Sequence, residues 1–389
     1  MATRPRVLTT YYKTGREGKG YGKVANFVAL SGFLFLVSGV FFERTTRDGI
    51  MNSNFVSKPA TRREMLKLGT GLAGGALVSG LLPLGLSAAT SGRWQAQQAQ
   101  VPNAPISNDR VAQMRAQAGS IPVQTQKLRD NIYMLYGPGG NMIVLTGSEG
   151  KVLVDSSFAS AAPHVAAAMA AIDAQPLKLL INTHWHFDHT DGNSAMHKAG
   201  ATIISHANCL KRLSAPQEIA AFQMHFDAAP PAAWPRRTFT DKFSLYYDGE
   251  QLDLAYMAPA HTDGDIYVRY QKGNVLHCGD VWFNGTYPFI DLSTGGNING
   301  MIAGSAQCLT QADADTMIVP GHGPAGNKVA LSKYHDMLVT VRDRIRPQKD
   351  ANKTLQEVIA AKPTADLDAE WGKGMVNGDF FTTLVYSTL

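Results

Sequence analysis

Leu177-Lys178-Leu179-Leu180-Ile181-Asn182-Thr183-His184-Trp185-His186-Phe187-Asp188-His189 is the stretch that decides the fold of this chain. Its first six residues are mostly apolar and suit a buried strand. Four potential metal ligands then follow within six residues: His184, His186, Asp188 and His189. In an extended segment His184 and His186 project to the same side, whereas on a helix they would lie roughly 200° apart. The pair therefore belongs on a loop leaving a sheet, where layered α/β proteins place their sites. Asp188 and His189 follow as the chain turns toward a helix at Asn193–Lys198, so they can face a second ion beside the first.

Outward from this loop the chain alternates β-rich runs, turn residues and helical stretches, the rhythm of an α/β protein. Upstream, Asn131–Tyr136, Asn141–Thr146 and Lys151–Asp155 read as three strands separated by Gly-Pro-Gly-Gly and Gly-Ser-Glu-Gly, and Ala161–Ala174 as a helix. Downstream come a strand at Ala201–Ser205, a helical stretch broken by prolines at Ala229–Pro235, and strands at Phe243–Tyr247, Leu252–Met257, Ile266–Tyr270, Val275–Cys278 and Thr316–Val319. A long helix at Lys328–Ile345 follows. Two β-rich halves, each ending in helices, suit two sheets packed face to face with helices outside.

Four ligands do not complete two metal sites, and loops at later strand ends should supply the rest. His261 sits in Ala-Pro-Ala-His-Thr-Asp-Gly-Asp, Asp280 follows Cys278-Gly279, and His322 lies in Pro-Gly-His-Gly-Pro. Each follows an apolar run and sits among Gly or Pro. Imidazole and carboxylate together suit zinc. His206, His225 and His277 fit no ligand spacing and read as structural or surface residues. Cys278 reads as a small buried strand residue.

The ordered set resembles the metallo-β-lactamase superfamily: the H-x-H-x-D-H run, the single His followed by Thr, the Gly-Asp pair, the Gly-His-Gly, and Val152-Leu153-Val154-Asp155-Ser156 as the strand-end Asp motif. The resemblance extends from about Lys127 to about His335. It implies a four-layer αββα sandwich, two mixed sheets face to face with outer helices, and two Zn2+ per chain. His184, His186 and His261 would hold one ion, Asp188, His189 and His322 the other, and Asp280 would bridge them. Asp at 280 is similar to the glyoxalase II, lactonase and broader hydrolase branches and unlike the β-lactamases with a Cys ligand. His186, where flavodiiron proteins carry Glu, argues against a diiron centre.

The expected activity is hydrolysis of a small acyl substrate (a β-lactam, lactone or thioester) by a metal-bound hydroxide, with Asp188 orienting the water and moving a proton. A metal-binding or accessory protein of the periplasm on the same fold, with little turnover, is the alternative. Asp155 either hydrogen-bonds a ligand histidine or caps its own turn. The aromatic stretch Trp282–Asp291, directly after Asp280, either contacts substrate, with Asn284 or Tyr287 donating to an oxyanion, or packs the loop onto the body.

Of the 389 residues, the first 89 hold 12 Lys or Arg and 4 Asp or Glu, which leaves 24 against 27 for the rest, although the whole chain carries +5. The basic balance belongs to the N-terminal segment, and the body has no electrostatic footprint for nucleic acid. Arg62-Arg63, the apolar stretch Leu68–Leu86 and the small residues Ser87, Ala88 and Ala89 read, in that order, as a twin-arginine-type signal peptide over residues 51–89, which implies a bacterial periplasmic protein. Residues 1–50, with an apolar stretch from Val24 to Phe42, are either an extension preceding the true start at Met51 or an N-terminal membrane anchor. Residues 90–120 read as a linker or arm, 121–346 as the catalytic domain, and 347–389 as a helical extension packed on it or a dimer contact. Three cysteines allow one disulfide at most.

Overall fold

The structure, a computed structural model, describes residues 108–389 and, upstream, the strands β1 (Val7–Thr10), β2 (Ala25–Leu30) and β3 (Phe33–Gly39). These three pair antiparallel in the order β1-β2-β3, and β2 and β3 occupy the apolar stretch noted above. The twin-arginine segment, its cleavage region and residues 90–107 lie outside the described residues. Among the described residues no helix is long and apolar enough to cross a membrane.

The body opens with β4 (Gln124–Arg129), β5 (Ile132–Tyr136), β6 (Met142–Gly147) and β7 (Gly150–Val154), an antiparallel meander. The strands β8 (Leu177–Asn182) and β9 (Thr202–His206) then add in parallel, each after a helix. A small hairpin of β10 (Gln217–Ile219) and β11 (Met224–Phe226) interrupts before β12 (Arg237–Phe239) joins β9 in parallel, giving a seven-stranded sheet in the order β12-β9-β8-β7-β6-β5-β4. The second sheet runs β13 (Lys242–Tyr247), β14 (Glu250–Tyr256), β15 (Ile266–Tyr270), β16 (Val275–His277) and β17 (Met317–Val319), with only the last pair parallel.

Strand alternation sorts the side chains into layers. Ile132, Met134, Ile143, Val152 and Val154 of the first sheet pack in one cluster with Leu252, Leu254, Ile266, Val268 and Val275 of the second. On the other face of the first sheet, Leu135, Val144, Leu153, Leu180 and Ile203 meet Val165 and Met169 of the helix Ala162–Ile172 and Met196 of Asn193–Lys198. Ala255, Tyr267, Leu276 and Ile318 of the second sheet meet the helices Ile298–Thr310 and Lys328–Asp350 through Met301, Tyr334, Leu338 and Val341. Each fully buried aliphatic chain contributes roughly 1.5–3 kcal/mol, so register is fixed on both faces of both sheets. The order helix, sheet, sheet, helix is the expected αββα sandwich.

Several elements differ from the sequence reading. Within the segment 90–120 taken as a linker or arm, Asp109–Ala118 is a docked helix: Val111 and Ala118 are buried, and Arg115 makes a bidentate pair with Asp191 (2.6 and 2.8 Å). The stretch after β9 holds one short helix, Ala207–Leu213, and the hairpin in place of a longer helix. The helix Lys328–Asp350 runs straight across the expected domain limit at 346/347. Beyond it three helices, Leu355–Ala360, Asp368–Trp371 and Gly378–Thr388, place Val358, Trp371, Phe381, Leu384 and Val385 in the same core as the body. These helices of 347–389 pack on the body, and it is the limit at 346/347 alone that the long helix crosses. All three cysteines are free and buried.

Candidate metal centre

One end of the sandwich gathers the ends of β7, β8, β16 and β17 and the loop between β14 and β15. Asp155 follows β7 in the left-handed region (φ 61°). His184 and Trp185 leave β8 in an irregular loop, but the run is not loop throughout: His186 occupies the N-cap position of a one-turn helix, Phe187–Thr190, that carries Asp188 and His189. His261 comes from the β14–β15 loop, Asp280 from a 3-10 turn after β16, and His322 from the loop after β17. Two glycines permit the crowding. A Cβ on Gly140 would come within 2.0 Å of the His189 ring, and one on Gly321 within 1.8 Å of Asp280 Oδ1.

The seven expected ligands form two groups. His184, His186, His261 and Asp280 offer four atoms, and Asp188, His189 and His322 three, each group within 4.8 Å. Asp280 stands between them, Oδ2 lying 3.4 Å from His261 Nε2 and 3.3 Å from His322 Nε2, and Oδ1 3.1 Å from His189 Nε2. In the second group His322 Nε2 is 3.3 Å from Asp188 Oδ2 and 3.4 Å from His189 Nε2.

Hydrogen bonds on the outer side of the rings fix which nitrogen faces inward. His261 Nδ1 donates to the Phe289 carbonyl (2.8 Å), and His186 Nε2 to Asp291 Oδ2 (3.0 Å). His189 Nδ1 donates to Asp155 Oδ2 (2.8 Å). The same Asp155 oxygen accepts the Thr183 hydroxyl (2.7 Å), leaving Thr183 Oγ1 to accept from His184 Nδ1 (3.0 Å). Asp155 thus hydrogen-bonds His189 directly and reaches His184 through Thr183, two of the candidate ligand histidines. With their outer nitrogens so engaged, His186 and His261 turn Nδ1 and Nε2 toward each other at 2.8 Å. His184 Nε2 and Asp280 Oδ1 are buried without a hydrogen-bond partner. Converging ring nitrogens, orphaned buried polar atoms and a shared carboxylate are what a cation site offers, and the His and Asp donor set fits a divalent metal such as zinc.

Charge is distributed unevenly over the two groups. Burial, together with neighbouring imidazoles, pushes His184 well below the ordinary histidine range and His261 down to about 4. For His189 and His322 burial acts in the same direction, but the carboxylates win: Asp280 and Asp188 raise His322 to about 9, and with Asp155 they raise His189 well above its usual value. Burial would raise Asp280, yet His322, His189, His261 and His184 hold it well below the carboxylate range. Asp291 is likewise held at about 2, against its burial, by His186, Ser293 and Thr294.

Other expected participants are placed elsewhere. Tyr287 is buried, its hydroxyl donating to Asp368 Oδ1 (3.0 Å) and its ring stacked on Phe381, so the expectation that it donates to a substrate oxyanion is corrected. The Asn284 amide donates to the Pro324 carbonyl (2.8 Å), which ties its loop to that of His322 instead of turning to a substrate. Phe283 stacks on the His322 ring at 5.1 Å. His206 caps the helix Ala207–Leu213, His225 sits beside Glu218, and His277 accepts from the Gly279 amide and meets the Asn141 carbonyl. Thr183, the Phe289 carbonyl and Asp291 were missed in the sequence. Thr183 directly precedes the ligand run and had a signal there; a backbone carbonyl has none.

Fold and site together define the class: residues 135–322 match the family described as the metallo-beta-lactamase superfamily, and the chain carries a hydrolase domain of that superfamily with a candidate metal centre. Among curated proteins it is similar to a hydroxyacylglutathione hydrolase of Polaromonas sp. (strain JS666), 27% identical over 201 residues, 49% of this chain and 68% of the relative. Among solved structures it is similar to a metallo-beta-lactamase from Pontibacter korlensis (17% identity, TM-score 0.47, 56% of this chain and 98% of that one). It is also similar to the stereoselective inverting sec-alkylsulfatase Pisa1 from Pseudomonas sp. (15% identity, TM-score 0.52, 76% of this chain and 54% of that one). At these identities the structural likeness concerns the fold alone.

Proposed function

We propose that this chain is a dinuclear zinc hydrolase that cleaves a small acyl substrate, of the β-lactam, lactone or thioester class. The observation that supports it most is the position of Asp280, within 3.4 Å of nitrogens from both histidine groups. A carboxylate so placed would be within reach of two ions at once. Bound there, two zinc ions would supply Lewis acidity and a water acidic enough to act as hydroxide near neutral pH. The residues of the chain do the rest. Asp188 and His322, with side chains 17% and 20% exposed, form the open rim, whereas His184, His189, His261 and Asp280 are buried. Asp188 Oδ2 is placed to hold the proton of an attacking water and deliver it to the leaving atom. Phe283 and Phe289 flank the histidines and limit access of bulk water. The relative named a hydroxyacylglutathione hydrolase supports a thioester among the three classes.

The test is metal content together with turnover of a thioester, a lactone and a chromogenic cephalosporin. About two zinc ions per chain and hydrolysis of at least one substrate, abolished by a chelator and restored by zinc, are expected. In that assay Asp188→Asn, loaded to the same metal content, should lose a factor of about 10²–10⁴ in kcat. A fully loaded protein inert toward all three substrates would overturn the proposal.

A further inference from the structure

The family match ends at residue 322, yet the chain beyond it grips the loop on which two metal-ligand histidines depend. That loop, Trp282–Asp291, faces two ways. On the metal side the Phe289 carbonyl accepts His261 Nδ1, the Asp291 carboxylate accepts His186 Nε2, and the Asp291 amide donates to the His261 carbonyl (2.9 Å). On the far side the Tyr287 amide donates to the Trp371 carbonyl (2.8 Å), its hydroxyl donates to Asp368, and its ring stacks on Phe381 at 4.7 Å with 18° between planes. Only Pro288 separates Tyr287 from Phe289, and its fixed φ makes the link stiff.

We infer that Tyr287 is a positioning residue, and that the C-terminal helices, acting through it, set the geometry and metal affinity of the His184/His186/His261 group. The second group meets the loop upstream of Tyr287, through His322, whose carbonyl accepts the Asn284 amide (2.9 Å) and whose ring stacks on Phe283. His189 is held by Asp155 on the first sheet, and Asp188 by the one-turn helix Phe187–Thr190, neither of which takes a hydrogen bond from the loop. A displaced Tyr287, which is separated by Pro288 alone from the Phe289 carbonyl that holds His261, should therefore disturb the three-histidine position more than the other. The inference rests on the two groups of ligands and on no particular substrate.

Tyr287→Phe keeps the stacked ring and removes the hydroxyl; Asp368→Asn alters the acceptor. The control is Val358→Ala, which opens a cavity in the same outer core at an apolar side chain that makes no hydrogen bond to the loop. Each full-length variant is titrated with zinc against a competing chelator and loaded with cobalt for absorption spectra, and its thermal midpoint is recorded. Tyr287→Phe and Asp368→Asn should each weaken zinc at the three-histidine position by about tenfold, a loss of the size found when an outer hydrogen-bond partner is removed. They should change the cobalt bands of the three-histidine position more than those of the other, and in the double variant their effects should add less than fully. Val358→Ala should lower the midpoint while leaving zinc affinity and spectra unchanged. If Tyr287→Phe binds zinc with wild-type affinity, or if affinity falls equally in Val358→Ala, the inference fails. A chain that takes one ion, weakened by Tyr287→Phe and not by Val358→Ala, would support the inference while ending the dinuclear reading.

Discussion

At the scale of single residues, the centre is asymmetric in protons as well as in ligands. Metal binding needs neutral imidazole, so a histidine protonated in the metal-free chain must release its proton when an ion arrives. An unperturbed histidine titrates near 6.5. His184 and His261 lie below that, so they are already neutral at pH 7 and bring no proton with them. His322, raised to about 9, and His189, raised well above its usual value, are charged at pH 7. The sign follows: their ion pairs with Asp188, Asp280 and Asp155 stabilise the metal-free fold fully below about pH 6.5 and lose that effect as pH rises through about 9. Filling the Asp188/His189/His322 position at pH 7 should thus release about two protons. Calorimetric zinc titration in buffers of different ionisation enthalpy measures this; release of none would refute the charge assignment. All seven candidate ligands, which the fold brings together, could be read in the sequence because their order is informative even where each His is not. Their supports were less visible, since Asp291 and the Phe289 carbonyl acquire meaning only when the loop folds back across the rings.

At the scale of elements, the turn Gly137-Pro138-Gly139-Gly140 between β5 and β6 shows how a sequence punctuation mark becomes part of the site. Read as a plain loop, it lies directly on the His189 ring, and Gly139 adopts φ 76° under the Asp188 carbonyl and Phe158. Gly140→Ala would place a methyl 2.0 Å from His189 Cε1, a contact that the ring must move to avoid. Because Asp155 holds the other side of that ring, the expected outcome is a folded protein whose zinc affinity at the His189 position drops at least about tenfold, the loss typical of disturbed ligand orientation. Chelator competition reads it, and wild-type affinity in a folded variant would contradict the close packing. The same local chemistry explains which elements were legible. Strands β5 to β8 and β13 to β17 carry apolar runs or alternation. The strand β4 is a mostly exposed edge, reading Gln-Thr-Gln-Lys before its first buried residue, Leu128, and so has no inward pattern. Strands β10 and β11, at three residues each, are too short to show a period. The helix Ile298–Thr310 was missed because Gly300 and Gly304 lower its propensity. They are there for contact: a Cβ on Gly300 would lie 1.6 Å from the Pro259 carbonyl oxygen, and one on Gly304 2.9 Å from Val281.

At the scale of the whole molecule, the centre exists only when the fold is complete. Its ligands span positions 184 to 322, leave both sheets, and are mostly buried, so neither half of the chain alone presents a metal site. Metal binding is then inseparable from folding, and the binding free energy adds to the stability of the folded state only. This bears on the twin arginine at Arg62-Arg63, followed by its apolar stretch and small residues. A twin-arginine route carries proteins already folded; were this chain exported by it, zinc would enter in the compartment where the chain is made and cross the membrane within it. A route that threads unfolded chain would leave the centre to be filled afterwards. The expected outcome is that Arg62→Lys with Arg63→Lys keeps the precursor inside a bacterial host. The retained precursor should be folded, protease-resistant and loaded with zinc, and the wild-type protein should appear in the periplasm shortened by its signal. Cell fractionation with metal analysis of the retained form decides it. Periplasmic delivery unaffected by loss of both arginines would remove the twin-arginine assignment, and a retained precursor that is folded but free of metal would place zinc loading after export.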